Sequence, residues 1–81
     1  MDAVVVPVFN EEKTVKKIIE SVSSHCDVII VVNDASTDNT PEILNQIKNN
    51  NLIIINNKKN LGIGGATKKG ILKAQELGAV F

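Results

Sequence analysis

The chain has 81 residues, with nine Lys, no Arg, four Asp and five Glu, so its net charge is zero with His25 neutral. That length suits one small domain, and the charge balance argues against a basic nucleic-acid-binding surface, a polybasic membrane patch and an acidic tail. Phe9 and Phe81 as the only aromatics exclude a base-stacking platform, and Cys26 as the only cysteine excludes a disulfide framework or Cys-based zinc site and fits a reducing, cytoplasmic setting.

Apolar runs alternate with stretches of helical period. Ala3-Val4-Val5-Val6-Pro7-Val8 is continuous enough for a strand covered on both faces. From Glu12 to Ser24 the apolar positions Val15, Ile18, Ile19 and Val22 form one helical stripe, with Asn10 as the expected N-cap. His25 and Cys26 follow without a partner at metal-ligand spacing and read as structural. Val28 to Val32 predicts a second buried strand. Thr40-Pro41-Glu42 reads as N-cap, N1 proline and acidic first turn of a helix through Ile47. Leu52 to Ile55 predicts a third strand. A glycine-rich turn, Asn60 to Gly65, leads into a third helix from Ala66 to Leu77, with Gly78 closing it. Ala79-Val80-Phe81 reads as the first residues of a fourth strand. No apolar run reaches the roughly 18 residues of a membrane span, and no signal peptide precedes Asp2.

This order predicts a three-layer α/β/α fold on a parallel sheet of order 3-2-1-4, with right-handed crossovers. Ligands of such sheets sit at the carboxyl ends of the strands, so a site is expected among the segments Pro7–Lys13, Asn33–Asn39 and Asn56–Gly65. The Asn-rich turns, in a chain without Arg, read as a trace of an AT-rich genome. The first turn has no glycine and carries Glu11 and Glu12, unlike a dinucleotide-binding turn. The segment Gly64–Gly70 has the letters of a P-loop in the wrong order, and a single histidine does not make a Ser-His-Asp triad.

Three segments carry a resemblance. Val4-Val5-Val6-Pro7-Val8-Phe9-Asn10-Glu11-Glu12, Ile30-Val31-Val32-Asn33-Asp34-Ala35-Ser36-Thr37-Asp38-Asn39-Thr40 and Lys59-Asn60-Leu61-Gly62-Ile63-Gly64-Gly65-Ala66 resemble, in order and interval, the opening motifs of family 2 glycosyltransferases of the GT-A fold. Among these, polyprenyl-phosphate (dolichol-phosphate) mannose or glucose synthases are the most similar. The resemblance implies that residues 1–81 are the nucleotide-sugar-binding part of a GT-A domain, a Rossmann-like half truncated at strand four.

It also implies a site for the donor nucleotide. Asp34 would contact the base, Phe9 would pack beside it, Glu11 would lie near the nucleoside, and Val32 would contribute backbone. Gly62 and Lys68 would belong to the wall closed by the third segment, whose helix N-terminus and lysines favour an anion. Pro7 would break the sheet ladder and let the chain turn away. Asp38 is expected to cap near helix two. Asn33, standing where the family usually has Asp, keeps a hydrogen-bonding shape without the charge.

The implied donor is an NDP-sugar, UDP- or GDP-linked. Mg2+ or Mn2+ is implied by the resemblance, but the Asp-x-Asp ligands and the catalytic base would lie beyond Phe81, so neither catalytic nor metal-ligating residues are expected here. The chain alone is then expected to be inactive and to self-associate through its strand-four edge. The acceptor, a polyprenyl phosphate, a glycan or a protein, stays open, and no nucleic-acid partner is expected. A non-catalytic α/β interaction or regulatory module and a nucleotidyltransferase-like domain are the alternatives. The latter normally has a basic Gly-rich loop after strand one, which Pro7–Lys13 is not.

Overall fold

The computed structural model describes residues 1–80, and the apolar runs and helical stripes become three βα units in sequence. These are β1 (Ala3–Val8), α1 (Val15–Val22), β2 (Val28–Asn33), α2 (Thr40–Gln46), β3 (Leu52–Asn56) and α3 (Gly62–Glu76). β1 and β3 both pair in parallel with β2, from Ala3 opposite Val28 to Val8 opposite Asn33, and from Ile29 opposite Leu52 to Asn33 opposite Asn56. On the outer side of β1, Val80 bridges in parallel to Asp2, with Ala3 N–H donating to the Val80 carbonyl and Val80 N–H to that of Met1. The sheet therefore runs 3-2-1 and continues at Val80 in the predicted direction. Phe81, assigned with Ala79 and Val80 to a fourth strand, lies outside the described residues.

The period-2 alternation of each strand builds two cores. Val5, Ile30, Val32, Ile53 and Ile55 pack on one face against Ala66 and Ala74 of α3. Val8, Ile29 and Val31 pack on the other against Val15 and Ile19 of α1 and Leu44 of α2. All six residues of β2 are buried, because strands flank it and helices cover both its faces. This is a three-layer α/β/α arrangement. α3 meets the sheet with only Ala66, Gly70 and Ala74 buried. A Cβ on Gly70 would overlap Val5 Cγ1 and come within 3.3 Å of Val32 Cγ2. The absence of a side chain there lets the helix lie close against β1 and β2.

The element ends depart from the sequence reading in instructive ways. α1 starts at Val15 with Thr14 at the N-cap, three residues later than expected. Asn10 is not its cap, because it is recruited into contacts across the sheet edge described below. α2 has Asn39 at the N-cap and Thr40 as its first residue. α3 starts four residues early, at Gly62, so most of the predicted glycine-rich turn is helix. Its far end closes as read: Gly78, at φ 72°, donates to the Gln75 carbonyl at 3.0 Å, and Ala79 to that of Ala74 at 2.9 Å. This paired closure needs a left-handed residue, which glycine adopts freely.

Pro7 also behaves differently from the expectation. It lies inside β1, opposite Val32, and the strand continues to Val8. The even-numbered residues of β1 bond β2, as the Asp2 and Val8 carbonyls do with Val28 and Asp34 N–H. The missing N–H of Pro7 therefore falls on the outer edge with that of Ala3, where it costs no β1–β2 bond.

Candidate functional site: the carboxyl edge of the sheet

Three connections leave the carboxyl ends of the strands, and the first two are joined by side chains bonding to backbone. Asn10 N–H donates to Ser36 Oγ at 3.0 Å, while Asn10 Oδ1 accepts from the N–H groups of Thr37 at 2.8 Å and Asp38 at 3.3 Å. Glu11 N–H donates to Thr40 Oγ1 at 3.0 Å, and Glu12 N–H to Asp38 Oδ2 at 3.2 Å. Asp38 Oδ1 also accepts from Thr40 N–H at 2.9 Å, so Asp38 ties the start of α2 to the first connection. Its partial burial pushes the carboxyl up, but the bonds from Thr40 and Glu12 outweigh that and hold it below its ordinary value.

The two loops turn on residues with positive φ, Asn10 at 52° and Ala35 at 62°. Asn tolerates that region, but for alanine it costs about 1–2 kcal/mol. Ala35→Gly should relieve this and lose about 0.5–1 kcal/mol to greater unfolded-state freedom. We expect a net gain of about 0.5 kcal/mol from those two terms, measured by urea unfolding. A loss of stability would show that Ala35 is not strained.

Asp34 connects the second and third loops. It leaves β2 only 3% exposed. Its Oδ1 accepts from Leu61 N–H at 2.9 Å and Asn57 Nδ2 at 2.8 Å, and its Oδ2 accepts from Gly62 N–H at 2.9 Å. The Leu61 bond is the main cause of a pKa held below the ordinary carboxylate value. Asn57 adds to it, burial opposes it, and Gly62 and the charge of Lys69 lower it further. The expected anion site at the start of α3 is thus occupied by a carboxylate of the chain itself. A carboxylate has about four lone-pair sites, so roughly one is left on Oδ2.

Asn33 is 3% exposed, and both ends of its amide are used: Nδ2 donates to Asn56 Oδ1 at 3.0 Å, and Oδ1 accepts from Ser36 N–H at 3.2 Å. Its side chain is thus spent in part on holding the second and third connections together at the sheet edge. The Asn-rich turns are therefore not a mere compositional trace. Asn10, Asn33, Asn56 and Asn57 each make specific bonds here, and Asn60 Nδ2 reaches the Asp34 carbonyl at 3.4 Å. Asn57 is a residue of this edge that sequence reading missed. Its place one residue past a buried strand, at the same edge as Asp34, was the available signal. Its Oδ1 is buried without a hydrogen-bond partner among the described residues.

A pocket of about 350 Å³ opens between these loops, lined by Pro7, Val8, Phe9, Glu11, Asp34, Asn60, Gly62, Ile63 and Ala66. Five of the predicted site residues meet there: Pro7, Phe9, Glu11, Asp34 and Gly62. Phe9 is 45% exposed, so it is a wall of the pocket rather than core. Glu11 is steadied by Thr14 Oγ1, which donates to its Oε2 at 2.8 Å. Two predicted residues do not join them. Val32 is fully buried against the α3 face of the sheet, and Lys68 is exposed on α3 outside the pocket lining. Lys69, not Lys68, is the lysine whose charge acts on Asp34. Cys26 is half-buried and its thiol, donating to the Val22 carbonyl at 3.4 Å, is pushed up by burial and by Asp27 and Asp2, as suits a structural residue.

An open parallel α/β sheet with an apolar-walled pocket at the carboxyl ends of its strands is the arrangement in which such folds place their ligands. The chain belongs to glycosyl transferase family 2, whose family model matches residues 3–77. It is 37% identical over 90 residues to a UDP-N-acetylglucosamine--dolichyl-phosphate N-acetylglucosaminyltransferase of Methanococcus voltae, covering 93% of this chain and 36% of that protein. It is 32% identical over 84 residues to a dolichyl-phosphate beta-glucosyltransferase of Trichomonas vaginalis, covering 88% of this chain and 25% of that protein. It is 34% identical over 70 residues to a poly-beta-1,6-N-acetyl-D-glucosamine synthase of Staphylococcus aureus, covering 82% and 17% respectively. The chain thus spans about a third or less of the length of these relatives. No solved structure matches it. Among the described residues no three His, Cys, Asp or Glu side chains are grouped to hold a metal ion. The divalent cation implied by the resemblance therefore has no ligand set among the described residues. Among the same residues, no helix is long and apolar enough to cross a membrane.

Proposed function

We propose that this chain is the nucleoside-binding part of a glycosyltransferase that takes a UDP- or GDP-linked sugar. The observation that carries the reading is the convergence of Pro7, Phe9, Glu11, Asp34 and Gly62, from three separate connections, on one pocket at the strand ends. Phe9 supplies an apolar face for a base, and the remaining Oδ2 lone pair of Asp34 accepts one N–H from its edge. With the Leu61 and Gly62 N–H groups at the start of α3 committed to Asp34, the diphosphate gains less from this helix end, and transfer does not occur on this chain alone. The dolichyl-phosphate acceptors in the names of two relatives favour a polyprenyl phosphate as acceptor, with the reaction at the cytoplasmic face of a membrane. Self-association through the outer edge of β1, paired among the described residues only at the Asp2–Val80 bridge, belongs to the same proposal.

The test is a chemical-shift titration with UDP and GDP. We expect binding near millimolar, worth about 4 kcal/mol, with shifts clustered at Phe9, Glu11, Asn60 and Ile63. Phe9→Ala should weaken it by about tenfold through lost contact with the base while leaving the melting temperature nearly unchanged, because Phe9 is outside both cores. Shifts of equal size with ribose 5-phosphate, or none at the pocket, would reject nucleoside binding.

A further inference from the structure

Zero net charge in this chain is the sum of two unlike segments. Residues 1–56 carry eight carboxylates against four lysines, net −4, while residues 57–81 carry five lysines against Glu76 alone, net +4. The balance that argued against a polybasic patch is true of the whole chain and not of this segment. Among the described residues the ion pair is Lys73–Glu76, at 3.2 Å. Lys58, Lys59, Lys68 and Lys69 are therefore exposed and outside any ion pair there.

The same segment exposes apolar side chains. Ile63 is 79% exposed, Leu72 53% and Leu61 40%. On α3 the seam against the sheet is Ala66, Gly70 and Ala74. Leu61, Lys68 and Leu72 are spaced i, i+7 and i+11, which at 3.6 residues per turn puts them together on the opposite side of the helix. Ile63 falls on the sheet side by the same phase and lines the pocket at the open N-terminal end, so it is not part of this face. The result is a helix face about 16 Å long on which Lys68 stands between Leu61 and Leu72, with Lys69 about a quarter-turn to the side and no Arg or aromatic ring to grip a nucleic acid.

We propose that this face of α3, with the turn before it, docks on an anionic lipid bilayer. The four lysines lie over the headgroups, and Leu61 and Leu72 enter the interface. Charge complementarity selects an anionic surface, and the aliphatic groups set between the lysines select a bilayer over a soluble polyanion, which has no apolar phase to bury them in. Glu11 and Glu12, on the connection across the pocket, are repelled by the same surface and orient the helix rather than that loop toward it. The inference does not depend on nucleotide binding or glycosyl transfer.

The experiment is co-sedimentation of the chain with phosphatidylcholine vesicles, pure or containing about 30% phosphatidylserine. We expect binding to the anionic vesicles only, released as salt rises from roughly 0.05 to 0.5 M. Lys58→Gln with Lys68→Gln should lower partitioning about 25-fold, near fivefold for each charge. Leu72→Ser, outside the pocket, should lower it about tenfold with the salt dependence retained. Lys16→Gln with Lys17→Gln on α1 should leave it unchanged, and all these exposed variants should melt near the parent chain. Equal binding to both kinds of vesicle would overturn the proposal, as would an equal effect of the α1 lysines. Binding unaffected by Leu72→Ser would mean a simple polyanion surface. Lipid-free self-association abolished by Leu72→Ser would mean that a second copy covers this face.

Discussion

Gly70→Val is expected to cause the largest loss of stability of any single change in the sheet–helix seam. The first carbon of any side chain there overlaps Val5 Cγ1 and crowds Val32, both fixed in the sheet. Overpacking of this kind costs about 1–3 kcal/mol for a small insertion and more for a branched one. An 81-residue domain has only about 4–12 kcal/mol of stability to lose. Gly70→Ala is the milder form: an overlap costing about 2–3 kcal/mol, at the upper end of that range because the contact is with a fixed strand, less about 1 kcal/mol gained from helix propensity, leaves a net loss of about 1–2 kcal/mol. For a domain of this size that is a fall in melting temperature of about 5–15 °C. Combining Gly70→Ala with Val5→Ala should recover part of the loss, because the second change vacates the space that the first one fills. Thermal melts of the two single variants and the double variant measure that coupling. A melting temperature raised by Gly70→Ala would mean that α3 is not held against β1 as described.

Asp34→Ala should release the first turn of α3. Removing this carboxylate leaves the N–H groups of Leu61 and Gly62 and the Asn57 amide without their acceptor, and two of those three bonds join β2 to the helix start. Charge-assisted bonds of this kind are about twice as strong as neutral ones. Amide exchange at Leu61 and Gly62 should therefore accelerate well beyond that of the α1 amides, and the pocket should lose its α3 wall. The pH dependence has a definite sign. Asp34 has a depressed folded-state pKa, so its contribution is fully present above the unfolded carboxylate value of about 3.9 and is lost as pH falls through the folded value. The parent chain should weaken progressively on acidification below about pH 4, and Asp34→Ala should flatten that decline. Asp38, depressed in the same direction, should leave a residual slope in the variant. Unchanged exchange at Leu61 and Gly62 would show that Asp34 does not hold the helix, and its whole carboxylate would then be free for a ligand.

These results bear on how a ligand would be read. Asp34 carries both a structural and a proposed recognition role, so its replacement cannot separate the two. Phe9 and Glu11 are the cleaner probes of the pocket, since neither belongs to the buried clusters that hold the sheet.

The strands, their parallel order, the two-sided burial of β2 and the meeting of the three connections around a pocket at the strand ends were all legible in the amino-acid sequence. Each rests on local periodicity or on chain connectivity, and both are written along the chain. The Gly78 closure of α3 was legible for the same reason. What only the tertiary structure decided is which polar groups satisfy one another across the sheet edge. Asn10 looked like a helix cap until Ser36 and Thr37, more than twenty-five residues away, were brought beside it. The glycine-rich segment looked like a free anion site until Asp34 arrived at the start of α3 and claimed its donors. Asn57 carried no pattern of its own, because its partner is twenty-three residues distant. Hydrogen bonds between loops depend on where the folded strands deliver their ends, and no spacing within a single segment encodes that.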